Sequence, residues 1–464
     1  MKYMLSLFLM LLSSPGMAHV KWFSDYSFQE APLSLADLSH TSFWGLFALS
    51  LISLPLLVWL DKVGEKSVVY GKINSFFDRY ADHAPLIMRV TMGAVLLMCW
   101  QGDSYIAPEI MIPDPFWGWF QFLLALLLLF KETTPLTGLG MIFLYFMGMK
   151  NNGIFHMLDY VVYPAVGLYL IFSNMKNEKI KNLDLPVLYS GLGFSLCWVA
   201  FEKMFYPFWG LSVLAKAPAL TMGLPHDFFL ISCAFVEFTL GYLLIICLLH
   251  RPLAAVVTLV FFTTTAFFGK PEVIGHTILH GALLVFIVKG PGHHYLAPIR
   301  FHKSTLLRSL FAIVNFVILF AILAFPYEKM AQGIYEKSRA EMSASAHPRF
   351  DVPEGSPKPT VMIHPEKDET GGWNIHFMTT NFKFLPASAR EDAVNEGHAH
   401  LYLNGKKIGR VYGEWIHLSL PSGENKLKIT LNTNSHKDLY VDGQQVSDEI
   451  VISEERDVKV EHTH

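Results

Sequence analysis

The sequence predicts an α-helical polytopic membrane protein of about ten transmembrane helices, with two repeated four-helix units and a C-terminal all-β sandwich domain. Three observations carry that prediction. The 464 residues are 52% hydrophobic and only 16% charged, with a mean hydropathy of +0.36, which is too apolar for a soluble protein of this length. Ten apolar runs suited to spanning helices follow one another up to residue 325. Beyond about residue 340 the pattern changes to short alternating segments separated by turn residues.

Residues 1–18 read as a signal peptide: Lys2 in a short n-region, an apolar stretch from Met4 to Leu12, and Gly16-Met17-Ala18 before the cut. Cleavage there makes His19 the first mature residue, at the head of an extracytoplasmic segment, 19–42. The apolar runs lie near 43–60, 87–101, 116–130, 136–149, 157–173, 187–206, 227–248, 252–268, 273–289 and 307–325. They divide into a first helix and cytoplasmic loop (43–85), a first four-helix unit (86–175), a second (186–290) and a last helix (305–326). A linker follows (327–359), with Pro348, Pro353, Pro357 and Pro359, and then the β domain (360–464).

With the N-terminus outside, the inner loops hold thirteen Lys and Arg residues, among them Lys62, Lys66, Lys72 and Arg79. The outer loops hold only Lys150, Lys203, Lys216 and Lys270. That asymmetry supports the orientation. An even number of spans returns the chain outside, so the bacterial inner membrane, with a periplasmic N-terminus and β domain, is the expected location.

The two units align from Met92-Gly93-Ala94 against Leu192-Gly193-Phe194 to Phe155-His156 against Gly275-His276, as parallel repeats. The second half carries Gly191-Leu192-Gly193-Phe194, Glu202-Lys203, Val236-Glu237, Leu240-Gly241, His250-Arg251 and Ile274-Gly275-His276. With these it resembles the DoxX family of small four-helix membrane proteins, some of them subunits of thiosulfate:quinone oxidoreductase. The resemblance implies a fold for about 200 residues more than it implies a reaction.

His276 and His280 are one turn apart on one helix, and His156, Asp159 and Tyr160 hold the equivalent end of the first unit. Ionisable groups at membrane depth face a bundle interior, a cavity or one another, so these residues with Glu237 make a candidate membrane site. Glu202 and Lys203 read as an ion pair at a helix end. The four cysteines, Cys99, Cys197, Cys233 and Cys247, lie in apolar runs with no C-x-x-C pair and read as small buried hydrophobes.

In the β domain, strands are expected at 360–364, 373–381, 398–403, 407–412, 414–419, 426–432, 438–441 and 448–452, with turns at Asn404-Gly405 and Asp442-Gly443. Alternation sets His398, His400 and Tyr402 on one face, and His376 with Met378 outside the core. His417 and His436 are further candidates, and His19, with His40 as a partner, is a candidate copper ligand through its amine and ring. Imidazoles and a thioether suit copper, with zinc or nickel as other choices.

The net charge of −3 offers no basic surplus for nucleic acid. The leading expectation is a membrane protein that binds and handles a transition metal, with copper foremost and a periplasmic metal carrier or redox partner. The alternatives are a quinone-linked oxidoreductase subunit, with quinone or haem at the membrane histidines, and a membrane scaffold whose β domain recruits a partner.

Overall fold

The computed structural model describes residues 19–290 apart from 25, 27 and 29, then 302, 304–344, 348–368, 372–385, 392–418, 420–421 and 423–454. The expected signal peptide lies outside the described residues. The chain forms two compact units, Met1–Ser338 and Arg339–His464.

The first unit is helical: α1 (Leu35–Leu38), α2 (Thr41–Lys66), α3 (Val68–Asp78), α4 (Ala84–Gln101), α5 (Pro115–Leu127), α6 (Thr134–Asn152), α7 (Ile154–Met157) and α8 (Val162–Phe172). It continues with α9 (Glu178–Lys181), α10 (Asp184–Phe205), α11 (Pro207–Lys216), α12 (His226–Ile245), α13 (His250–Phe268), α14 (Lys270–Lys289) and α15 (Thr305–Ala344). Proline in the first turn starts α4, α5, α6 and α14, where the missing N–H has no intrahelical partner to lose. Each expected apolar run lies mainly on helix. Among the described residues, six helices are long and apolar enough to cross a membrane, or seven if the bent pair α7/α8 is one span, and α5 is shorter.

That pair bends by 54°. Pro164 accounts for the break, because it cannot donate to the carbonyl of Tyr160, four residues earlier. At the start of α8 the N–H of Val162 donates to Ser195 Oγ of α10, at 3.0 Å. The last helix differs from expectation at its other end. It runs through Pro326 to Ala344, across much of the expected linker, because Tyr327 and Ala331 lie one turn apart and are both buried in the bundle.

The two four-helix units interlock reciprocally: α8 packs on α10, and α14 packs on α4. A Cβ on Gly281 would meet Thr91 Oγ1 at 2.2 Å, and one on Gly191 would meet the Val161 carbonyl at 3.4 Å and Ala165 Cβ at 2.2 Å. Thr91 and Gly191 are 100 residues apart, and Val161 and Gly281 are 120 apart, so the same two aligned positions meet at both interfaces. All four cysteines are buried in this unit.

The N-terminal segment is part of the bundle. His19, Val20 and Lys21 are buried, and Leu33 N donates to the Phe205 carbonyl at 2.8 Å. Trp22 occupies the space left by Gly275, where a Cβ would lie 1.8 Å from the indole.

A short hairpin, β1 (Ser104–Tyr105) and β2 (Ala107–Met111), joins α4 to α5. The second unit begins with β3 (Arg349–Asp351), β4 (Thr360–Lys367), β5 (Trp373–Thr380), β6 (Lys383–Phe384) and β7 (Glu396–Leu403). It ends with β8 (Lys406–Val411), β9 (Trp415–Leu418), β10 (Gly423–Asn432), β11 (Asp438–Val441), β12 (Gln444–Gln445) and β13 (Ser447–Glu454). All eight expected strands are present, and β3, β6 and β12 are additions. One sheet runs β12-β11-β10-β7-β6, with β13, β3 and β8 paired to β10, β11 and β7; a second runs β4-β5-β9. Val361, Ile363, Ile375 and Phe377 of the smaller sheet share one core with Ala399, Leu401, Leu427 and Ile429 of the larger. Asn404-Gly405 and Asp442-Gly443 adopt positive φ at both residues, as tight hairpin turns require.

Candidate functional site

In the β domain, the period of two sends Ala399 and Leu401 into the core and His398 and His400 to the opposite face of β7. That face is not solvated. His398 is 2% and His400 0% exposed, because the Asn432–Lys437 turn folds over them. Gly397 permits the approach, since a Cβ there would meet the Asn432 carbonyl at 2.1 Å.

The turn is clamped by Asp392, which accepts from Ser435 N at 2.7 Å, from Ser435 Oγ, and from Lys437 Nζ at 3.0 Å. Although burial raises its pKa, these donors hold the carboxyl well below the usual carboxylate range. The turn delivers His436 in a left-handed conformation, φ 67°, which a non-glycine residue adopts only under tertiary constraint.

Three ring nitrogens thereby converge. His398 Nε2 lies 3.1 Å from His400 Nε2 and 2.9 Å from His436 Nδ1. All three residues offer a ligand atom within 4.8 Å of one another. A tetrahedral metal with M–N bonds of about 2.0–2.1 Å has N···N edges of about 3.3 Å, so a small relaxation admits an ion.

The other candidates in this domain do not join the trio. His376 and Met378 lie on β5 of the smaller sheet, with His376 stacked on Trp415 at 4.1 Å. His417, on β9, faces Asn374 Oδ1 at 2.9 Å and Asp368 at 3.6 Å. Among these candidates the fold brings His436 beside His398 and His400, whereas strand register assigns His376, Met378 and His417 to another sheet.

In the helical unit the buried polar groups gather around a partly enclosed cavity whose walls include His19, Trp22, Asp159, Tyr160, Glu237 and His276. Lys21 bridges the two halves, with its ammonium 2.6 Å from Asp159 and 3.1 Å from Glu202. Glu202 and Lys203 do not form the expected pair: neighbours on a helix point apart, and Lys203 binds Glu237 at 2.8 Å. His276 Nδ1 lies 2.6 Å from Glu272, which also accepts from Thr264 Oγ1 at 3.0 Å. His280 stacks on Phe262 at 4.4 Å. His156 Nε2 lies 3.3 Å from Glu109, which also accepts from Tyr160 OH, and Trp22 Nε1 donates to Tyr160 at 3.1 Å. Burial pushes the Glu109 carboxyl up to about 8.

His19 meets Asp159 and Glu202 within 4.8 Å, and its Nδ1 is buried without a hydrogen-bond partner. His40 is not its neighbour. It caps α2, its Nδ1 accepting from Phe43 N at 3.2 Å. Any cation entering the His19 group competes with the Lys21 ammonium already on both carboxylates.

The carboxylates of this cluster are Glu109, Asp159, Glu202, Glu237 and Glu272, all buried or largely so, against the ammonium groups of Lys21 and Lys203. Uncompensated charge is costly in a low-dielectric interior, so neutrality requires protons on this cluster or an added cation. The cavity offers about 30 Å³ for water centres. One water needs about 10–15 Å³ on that measure, so the space suits a few waters or an ion, and a quinone or porphyrin ring requires its walls to part.

Lys21, Glu109 and Glu272 escape sequence reasoning. Only an isolated acid or base among apolar neighbours marks them. For Lys21 and Glu109 the partners lie far away in the chain, whereas Glu272 meets His276 one turn along its own helix and Thr264 eight residues earlier. No known family model, curated protein or solved structure matches the chain.

Proposed function

We propose that the chain is a bacterial inner-membrane protein that binds copper or another transition metal on its periplasmic side and handles it by delivery, uptake or detoxification. The observation that carries this reading is the convergence of His398, His400 and His436 on one buried point. Three imidazoles from a β-hairpin strand and a clamped turn are a costly use of a buried strand face unless they bind something. Neutral nitrogen donors suit Cu(II) and Zn(II). Six helices, or seven with the bent pair, are long and apolar enough to cross a membrane; counting the shorter apolar helices up to ten, as the DoxX-like units and the Lys/Arg asymmetry of the sequence favour, puts the β domain in the periplasm, within reach of a metal carrier or redox partner.

Metal analysis of the full-length protein, purified in detergent and reconstituted with copper, zinc and nickel in turn, tests the reading. About one equivalent of metal is expected at the trio, lost in His398→Ala/His400→Ala. Wild-type protein that retains none of the three metals overturns it. A compartment-sensitive tag at His464 tests the topology.

The membrane cluster favours a second reading, a quinone-linked oxidoreductase subunit, through one observation. The Trp22–Tyr160–Glu109–His156 chain is a connected set of proton-bearing groups beside the cavity. Quinone reduction by the purified protein, abolished in Glu109→Gln, would establish it.

A further inference from the structure

The outer face of the smaller β sheet carries a second set of metal-ligating side chains. Strand β4 turns Val361 and Ile363 into the core and Met362 and His364 outward, while β5 turns Ile375 and Phe377 inward and His376 and Met378 outward. The register sets Met362 opposite Met378 and His364 opposite His376. Directly opposed residues have Cβ atoms about 4.5–5.5 Å apart, and successive residues on one face are about 7 Å apart. Two thioethers and two imidazoles therefore occupy two adjacent rungs of one ladder, within reach of the flexible methionine side chains.

Packing does not explain the methionines. Met362 is 60% and Met378 42% exposed, so neither thioether is committed to the core and both are open to a ligand. The imidazole of His376 is held flat against Trp415, with ring planes 4° apart, and its Nε2 lies 4.0 Å from Glu414. His364 Nε2 lies 3.9 Å from Glu366.

We infer that Met362, His364, His376 and Met378 form a Cu(I) site. Thioether ligands select the soft monovalent ion, whereas the all-imidazole trio suits the divalent one. The inference rests on the copper reading above and deepens it: the β domain presents separate sites for the two oxidation states on the outward faces of its two sheets.

The test uses full-length protein in detergent, loaded with Cu(I) anaerobically in competition with bicinchoninate and examined by X-ray absorption at the copper edge. His398→Ala/His400→Ala is expected to retain one Cu(I) with sulfur among its ligands. Adding Met362→Leu/Met378→Leu, which preserves size and strand, is expected to weaken that binding at least about tenfold and to remove the sulfur signal. Met362→Leu/Met378→Leu alone is expected to leave Cu(II) at the trio, seen by electron paramagnetic resonance. Cu(I) affinity and sulfur ligation unchanged by the leucine pair overturn the assignment, including the case in which this face serves a protein partner instead. Cu(I) bound at the methionines with no Cu(II) at the trio overturns the trio reading alone.

Discussion

The Nδ1 atom of His436 lies 2.9 Å from Nε2 of His398, although 38 residues separate them in the chain. Strand β7 supplies two of the three imidazoles by alternation alone, but the third arrives only because the Asn432–Lys437 turn is folded back and pinned. The trio is therefore as dependent on that turn as on the strand.

His436→Ala removes one of three ligands and leaves β7 and β10 untouched. Metal affinity is expected to fall by more than about tenfold, since even outer-shell changes at metal sites cost about 10–100-fold. Competition titration reads the affinity, and an unchanged value would show that His436 is not a ligand.

Asp392→Ala tests positioning without touching a ligand. Its carboxylate holds Ser435 and Lys437, so its loss should free the turn and lower metal affinity by roughly tenfold. Far-UV circular dichroism should stay that of the wild type. Asp392→Glu, which keeps the charge, is expected to recover part of the loss.

Lys21→Met leaves Asp159 and Glu202 as buried carboxylates without their ammonium. Breaking such a pair from one side is expected to destabilise the helical unit by about 3–5 kcal/mol. Lys21→Met/Asp159→Asn/Glu202→Gln should recover most of it. Thermal unfolding in detergent measures both, and a triple variant no more stable than the single one contradicts the charge argument.

Glu109 gives the helical unit a defined pH response. Burial raises this carboxyl from 4.5 to about 8, so the folded state holds a proton that the unfolded chain has released. A raised acid favours the fold while protonated, and its contribution is lost as pH rises from about 4.5 through about 8. The groups facing it are His156, Tyr160, Trp22, Lys21 and Glu202. Melting temperature should decline across that window in the wild type and less steeply in Glu109→Gln. Equal slopes would assign the response to another group.

The sequence by itself determined the long apolar helices, eight of the eleven described strands of the β domain and two tight turns. Those features rest on local physics: apolar runs in a bilayer, period-two alternation, and backbone preferences at Asn-Gly and Asp-Gly. It also pointed to His398 and His400, because strand spacing puts them on one face. It did not sort the further candidates: register sets His376, Met378 and His417 on a different sheet from His398 and His400. The tertiary structure alone decided that His436 completes the trio, that Glu202 and Lys203 point to different partners, and that Lys21 closes the gap between the two four-helix units. Each of these is a contact between residues distant in the chain. Partner choice there follows from the cost of burying an unpaired charge, which no local pattern encodes.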